Sequence, residues 1–318
     1  MRPVVIAHRG ASGHIPEHTF PAKALAYAMG ADYLEQDVVA SRDDVLVVLH
    51  DIHLDRVTDV AQRFPGRSRA DGRYYVRDFD LVELRTLTVH ERTDADGAPV
   101  YPERFRSAGE PFRIHTFAEE IGFIGALQAS GGRPVGIYPE IKRPAWHRDE
   151  GVDITLLFLE ILWNAGYRER TDAVYLQCFD AAELRRIRRQ LGCKLRLVQL
   201  IGENAWGEAE TDYTALRSRR GLQRLSGVVD GIGPWLPRLY RHRRRDGHIS
   251  SSGLVERAHA VGLVVHPYTF RRDDLPPGFA SFESLLQFTF AELAIDGLFT
   301  DFPGAVCQYL RNRSIESG

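Results

Sequence analysis

Short apolar, β-branched runs recur along the chain and alternate with longer stretches whose apolar positions return at helical spacing. The runs at 4–8, 33–39, 45–50, 135–142, 173–179, 195–201, 227–233, 263–269 and 296–300 predict strands. Helices are predicted between most of them, at 21–29, 116–130, 153–165, 181–191, 213–225, 249–261, 280–293 and 304–312. Pro21 suits a first helical turn, Asp153 and Asp180 are suitable N-caps, and Gly30, Gly166, Gly192 and Gly262 each follow a predicted helix end. With 45–50 taken as a continuation of the second strand after a turn at Asp43-Asp44, eight strand–helix pairs result. Eight such units predict an α/β fold, a (β/α)8 TIM barrel rather than an open doubly wound sheet.

One segment breaks the rhythm. Residues 52–114 are rich in Arg, Asp, Gly and Pro, with scattered aromatics such as Tyr74, Phe79 and Tyr101. A structureless loop of that length does not suit a compact domain, so the segment reads as a small cap inserted after the second strand of a single 1–318 domain. Length agrees, since 318 residues exceed a barrel of ~250 by about the size of this insertion.

Composition narrows the classes. The 41 basic and 43 acidic side chains give a net charge of −2, which argues against a nucleic-acid binder, and 44% hydrophobic residues argue against disorder. No apolar run approaches the ~20 residues of a membrane span. The odd set Cys178, Cys193 and Cys307 has no metal-like spacing and fits free thiols. Met1-Arg2-Pro3 leads straight into a strand without a secretory leader, so a cytoplasmic protein is expected, although a trimmed periplasmic form would read the same way. The basic run Arg238 to Arg245 reads as a solvated loop.

Chemistry gathers at strand ends. Ile6-Ala7 runs into His8-Arg9-Gly10, and Val47-Val48-Leu49 into His50-Asp51. Glu35 and Asp37, two apart in a strand, share one face, as do Glu140 and Lys142. Two carboxylates pressed together in a barrel lumen require protonation or a cation between them. Three oxygen donors, Glu35, Asp37 and Glu140, suit one hard divalent ion, Ca2+ or Mg2+. If His8 and His50 face each other across it, one accepts and the other donates a proton, as displacement at phosphorus requires. Arg9 and Lys142 would place positive charge on phosphoryl oxygens, with Lys142 alternatively a structural partner of Glu140. Phe179, Trp235, Tyr268 and Phe299 are candidates for the walls of a substrate pocket, or simply core and rim aromatics. His18, His53 and His266 carry no assigned role, with His18 and His266 expected near the mouth. Only three lysines occur, Lys23, Lys142 and Lys194, and Lys142 falls in one of these strand ends.

Together His8-Arg9-Gly10, Pro16-Glu17-His18-Thr19, Glu35-Gln36-Asp37, His50-Asp51, Leu54-Asp55-Arg56-Val57-Thr58-Asp59, Pro139-Glu140-Ile141-Lys142, Gln177-Cys178-Phe179, His266-Pro267-Tyr268 and Phe299-Thr300-Asp301-Phe302-Pro303 resemble the glycerophosphodiester phosphodiesterase family, most closely its bacterial periplasmic branch. The resemblance implies a TIM barrel with an insertion after the second strand, and Ca2+ or Mg2+ held by Glu35, Asp37 and Glu140. It implies His8 and His50 as the acid–base pair, hydrolysing small-molecule glycerophosphodiesters to sn-glycerol 3-phosphate and an alcohol. Glu17-His18-Thr19 stands where many family members have Glu-Asn-Thr, as in that branch. Attack by the glycerol 2-hydroxyl and attack by water both remain open, as does a homodimer. The other readings weighed are a lysophospholipase D or phospholipase C type enzyme, for which the Arg- and Asp-rich insertion offers no obvious apolar entrance, and a non-catalytic binding module.

Overall fold

The computed structural model describes residues 2–106, 112–243, 245 and 247–316, with side chains described to residue 313. Positions 107–111 of the insertion and Arg244 of the basic run therefore lie outside the described residues. Eight parallel strands form the barrel: β1 (Val4–Ala7), β2 (Tyr33–Ala40), β3 (Gly136–Ile141), β4 (Tyr175–Cys178), β5 (Arg196–Ile201), β6 (Gly231–Pro234), β7 (Val264–Val265) and β8 (Gly297–Thr300). They pair in chain order, with β8 returning to β1. Backbone bonds from Asp296 N to Val265 O, Phe299 N to Pro267 O and Phe270 N to Phe299 O link β8 to the segment that begins with β7.

Sequence periodicity explains the layering. In β2, Leu34, Val38 and Ala40 face the helices and join the main core, while Glu35 and Asp37 alternate onto the lumen side. Ile6, Tyr138, Val198 and Phe299 fill the lumen below, so the barrel is a packed core beneath a polar upper layer. Helix ends follow the expected chemistry. Thr19 caps Phe20–Ala28 by accepting from Ala22 N, Asp153 and Asp180 cap Ile154–Asn164 and Ala181–Arg189, and Thr116 with Glu119 forms a capping box on Phe117–Gly131. All three cysteines are buried and free. No helix among the described residues is long and apolar enough to cross a membrane.

Three predicted elements differ. The 45–50 run does not extend β2. Leu46–Val48 folds back antiparallel to it, pairing Val38 with Val48 and Ala40 with Leu46, after a turn in which Asp44 has φ 60°. That hairpin carries the chain off the barrel into the insertion, where Leu54, Val60, Val76, Phe79, Leu84 and Leu87 bury a separate hydrophobic cluster. The 213–225 helix is two short ones, Tyr213–Leu216 and Arg219–Leu225, because Ser218 starts a new cap on Gly221 N. The 249–261 helix begins only at Leu254, since His248–Ser251 pairs antiparallel with Tyr240–Arg243, turning the predicted basic loop into a hairpin.

A buried ion network braces β2 from behind. Lys23 is fully buried and donates to the Glu35 carbonyl and to Glu120 Oε1 at 2.6 Å. His115 Nε2 donates to Glu120 Oε2 at 2.6 Å, and the Gln36 amide to Glu120 Oε1 at 3.0 Å. Burial alone would raise the Glu120 carboxyl, but Lys23 and His115 outweigh it and hold it at about 2. Removing one member strands a buried charge, so Lys23→Met is expected to cost about 3–5 kcal/mol in urea denaturation. A carboxyl depressed from 4.5 in the unfolded chain adds stability above that value and loses it as pH falls towards about 2. Glu120→Gln should therefore flatten the acid side of the stability curve over that window, and an unchanged slope would contradict this.

Candidate active site

The polar upper layer begins where β1 ends. His8 stands two residues above Ile6 and so faces the lumen. Arg9 (φ 58°) and Gly10 (φ 94°) then turn the chain sharply. Only glycine suits position 10, because a Cβ there would lie 2.9 Å from the Ala22 carbonyl carbon at a φ that side chains rarely adopt. The turn aims the Arg9 amide at Glu35 Oε2, 2.8 Å away.

Both histidines are held in the same way. His8 Nδ1 donates to Asp301 Oδ1 at 2.6 Å, and His50 Nδ1 to Asp51 Oδ1 at 2.5 Å. A carboxylate can only accept, so each bond fixes the proton on Nδ1 and leaves Nε2 for the site. His8 Nε2 lies 3.9 Å from Glu35 Oε2, and the Lys142 ammonium donates to His50 Nε2 at 3.3 Å. Burial and the nearby Arg9 lower His8 to about 4, against the pull of Asp301. Burial, Arg9 and Lys142 lower His50 to about 3.

Glu35, Asp37 and Glu140 bring three ligand oxygens within 4.8 Å of one another, all buried. Parallel register causes this, since Asp37 pairs with Glu140 across β2 and β3. Burial and the Asp37 charge push Glu35 up to about 8, and burial with Asp37 likewise keeps Glu140 well above the usual carboxylate range despite Lys142. Asp37 moves the other way. Burial opposes it, but Lys142, His50 and His18 hold it well below. One oxygen of Asp37, Oδ1, is buried without a hydrogen-bond partner among the described residues. An orphaned carboxylate oxygen beside two more buried carboxyls is a donor set fitted to a hard cation.

The cations and their partners complete the layer. Lys142 Nζ pairs with Glu140 Oε1 at 2.9 Å, so the structural bridge weighed from sequence exists and coexists with the contact to His50. The Arg9 guanidinium binds both Glu17 oxygens at 2.9 Å and approaches Asp37 Oδ2 to 3.5 Å. His18 Nε2 donates to Asp37 Oδ2 at 2.8 Å, and the Gln177 amide to Glu35 Oε1 at 2.9 Å.

The open space divides into two lobes that share His8, Arg9, His50 and Arg271. The larger, about 450 Å3, contains the carboxylates, and Phe179, Trp235, Tyr268 and Phe299 line it as a group. The smaller, about 380 Å3, lies against the insertion, where His53 lines it beside Tyr75. His266 is not at the mouth. Its Nδ1 is hydrogen-bonded to the Tyr138 hydroxyl at 2.9 Å, deep in the lumen, because β7 is only two residues long and His266 follows it directly.

Asp51, Asp301, Glu17, Arg92, Arg104 and Arg271 also brace the site, in roles that strand periodicity does not mark. Arg92 joins Glu17 at 2.7 Å to Asp51 at 2.6 Å, and Arg104 and Arg271 both bind Asp301 Oδ2, at 2.8 and 2.7 Å. The His50-Asp51 adjacency was a usable signal for one of them. The arginines lie in irregular segments with no periodicity to mark their direction.

The family model of the glycerophosphoryl diester phosphodiesterases matches residues 8–305. A glycerophosphodiester phosphodiesterase of Haemophilus influenzae is 42% identical, over 97% of this chain and 90% of that protein. One of Treponema pallidum is 37% identical, over 96% and 91%. Among solved structures, an Oleispira antarctica phosphodiesterase in complex with the product sn-glycerol-3-phosphate superposes with a TM-score of 0.63 at 21% identity, over 98% of this chain and 97% of that one. The Thermotoga maritima glycerophosphodiester phosphodiesterase does so with 0.58 at 19%, over 97% and 98%. These two share the fold. The match over residues 8–305, with two relatives above 30% identity along nearly the full chain, means that the protein belongs to the glycerophosphoryl diester phosphodiesterase family.

Proposed function

We propose that His8 and His50 are the acid–base pair with which this family member hydrolyses glycerophosphodiesters. The observation that carries the assignment is the matched pair of imidazoles, each pinned by a carboxylate at Nδ1 and each offering Nε2 beside the buried carboxylate cluster. In-line displacement at phosphorus needs a proton acceptor on one side and a donor on the other. The Lys142 ammonium donates to His50 Nε2, which marks that nitrogen as a lone-pair acceptor, and we assign His50 as the base. His8 has a carboxylate facing each ring nitrogen, an environment that favours the imidazolium when a phosphate adds its charge, and we assign it as the acid.

Arg9 and Lys142 supply positive charge to the nonbridging phosphoryl oxygens. Arg9 is anchored by Glu17, which Arg92 holds from its other side, so the guanidinium is oriented before substrate arrives. Glu35, Asp37 and Glu140 would hold one Ca2+ or Mg2+, which when bound supplies Lewis acidity to the same oxygens. Phe179, Trp235, Tyr268 and Phe299 wall the glycerol moiety, and sn-glycerol 3-phosphate and an alcohol are the products. The glycerol phosphate named in the Oleispira complex supports this choice of substrate.

Choline release from glycerophosphocholine is the direct assay. His8→Ala and His50→Ala, checked for fold by circular dichroism, are expected to lose a hundredfold or more in kcat. EDTA should abolish turnover and added Ca2+ or Mg2+ restore it. Unimpaired turnover in either variant, or in EDTA, would overturn the assignment. Asp301→Asn should lower kcat by roughly a hundredfold or more with little change in KM, because the amide no longer fixes the His8 tautomer. Lys142→Arg is expected to lose most activity, since a planar guanidinium cannot replace a compact ammonium between Glu140 and His50.

A further inference from the structure

We propose that the smaller lobe is the subsite of the departing alcohol, and that Arg56 and Glu91 within it select an alcohol bearing both a carboxylate and an ammonium, such as a seryl head group. The inference rests on the reading that phosphorus sits between His8 and His50. In-line geometry places the leaving oxygen opposite the attacking one. With the carboxylate cluster and the aromatic walls all on the larger lobe, the alcohol departs into the smaller one, which opens from the same histidines.

The lining of that lobe is charged but not fully paired. Arg9, Arg73, Arg92, Arg104 and Arg271 each have a carboxylate partner. Arg56 is the exception. It lines the lobe half-buried, and among the described residues its guanidinium has no ion-pair partner. Glu91 lines it too, and its Oε2 is buried without a hydrogen-bond partner among the described residues. Two backbone bonds hold their segments side by side, Thr93 N to Arg56 O at 2.9 Å and His90 N to Val57 O at 2.9 Å. A half-exposed cation without an ion pair and an anion with one buried, unpartnered oxygen, both lining one cavity, match a ligand that carries the opposite charges. Burial and the neighbouring Glu17 push Glu91 up to about 7, so an incoming ammonium would hold it ionised. Neutral glycerol satisfies neither group, and ethanolamine satisfies only Glu91.

The test compares kcat/KM of the full chain, in saturating Ca2+ or Mg2+, on glycerophosphoserine, glycerophosphoethanolamine and glycerophosphoglycerol. Arg56→Met should lower the seryl-to-ethanolamine ratio about tenfold, and Arg56→Lys should recover part of it. Glu91→Gln should lower both amine-bearing substrates about tenfold relative to the glyceryl one. Ratios that do not move, or an equal loss on all three diesters as expected of a merely structural role or of glycerol bound in this lobe, would overturn the proposal. Calorimetric binding of the same diesters to EDTA-treated protein reads the same ratios without turnover. Head-group discrimination there, with no hydrolysis of any diester by the metal-loaded protein, would uphold the subsite and overturn the phosphodiesterase chemistry instead.

Discussion

Three carboxyls buried within 4.8 Å of one another are the constraint around which the upper barrel is arranged. Desolvation and mutual repulsion both oppose ionisation there, and no packing of apolar side chains could offset that. The chain answers with counter-charge from several directions. Lys142 follows directly on the strand that carries Glu140 and Arg9 arrives from the turn after β1, while His18 adds a hydrogen bond from the loop beyond it. Asp37 is the carboxylate that this surrounding holds ionised, while Glu35 and Glu140 are driven towards their protonated forms. A divalent ion would reverse that balance, and the Asp37 Oδ1, unpartnered among the described residues, is a ready ligand for it.

The same constraint explains the rigidity around the site. A cluster of like charges holds its geometry only if the backbone beneath it cannot relax. The lumen layer of Ile6, Tyr138, Val198 and Phe299 supports it from below, and the Lys23–Glu120–His115 network grips the Glu35 carbonyl from behind β2. Each catalytic candidate has its own brace as well. Asp301 and Asp51 orient the histidines, and Arg92, Arg104 and Arg271 fix those aspartates in turn. The insertion supplies two of those three arginines and lines the smaller lobe, so it contributes to the site. Proton transfer depends on such positioning to a fraction of an ångström.

Much of this was legible in the sequence because strand periodicity is a strict geometric rule. An i, i+2 pair such as Glu35 and Asp37, or Glu140 and Lys142, must share a face, and an apolar run ending in histidine must deliver that histidine to one end of the barrel. The eight-unit rhythm and the family motifs likewise predicted the fold. What periodicity does not encode is direction after a turn. The 45–50 run is apolar whether it extends β2 or reverses against it, and only the tight turn at Asp44 decides. The arginines that brace Asp51 and Asp301 were illegible for the same reason, since Arg92 and Arg104 reach across tens to hundreds of positions from irregular segments. His266 was misjudged because β7 is so short that a residue just past it still lies deep in the lumen.

If the cluster is a cation site kept partly protonated by its own repulsion, loading it must expel protons. Isothermal titration of Ca2+ or Mg2+ into chelator-stripped protein at pH 7, repeated in buffers of different ionisation enthalpy, measures both the stoichiometry and the protons released. The expected result is one ion per chain with release of about one proton or more, because Glu35 is pushed up to about 8 and Glu140 is likewise raised before the ion arrives. Binding with no buffer dependence, or no binding at all, would contradict it.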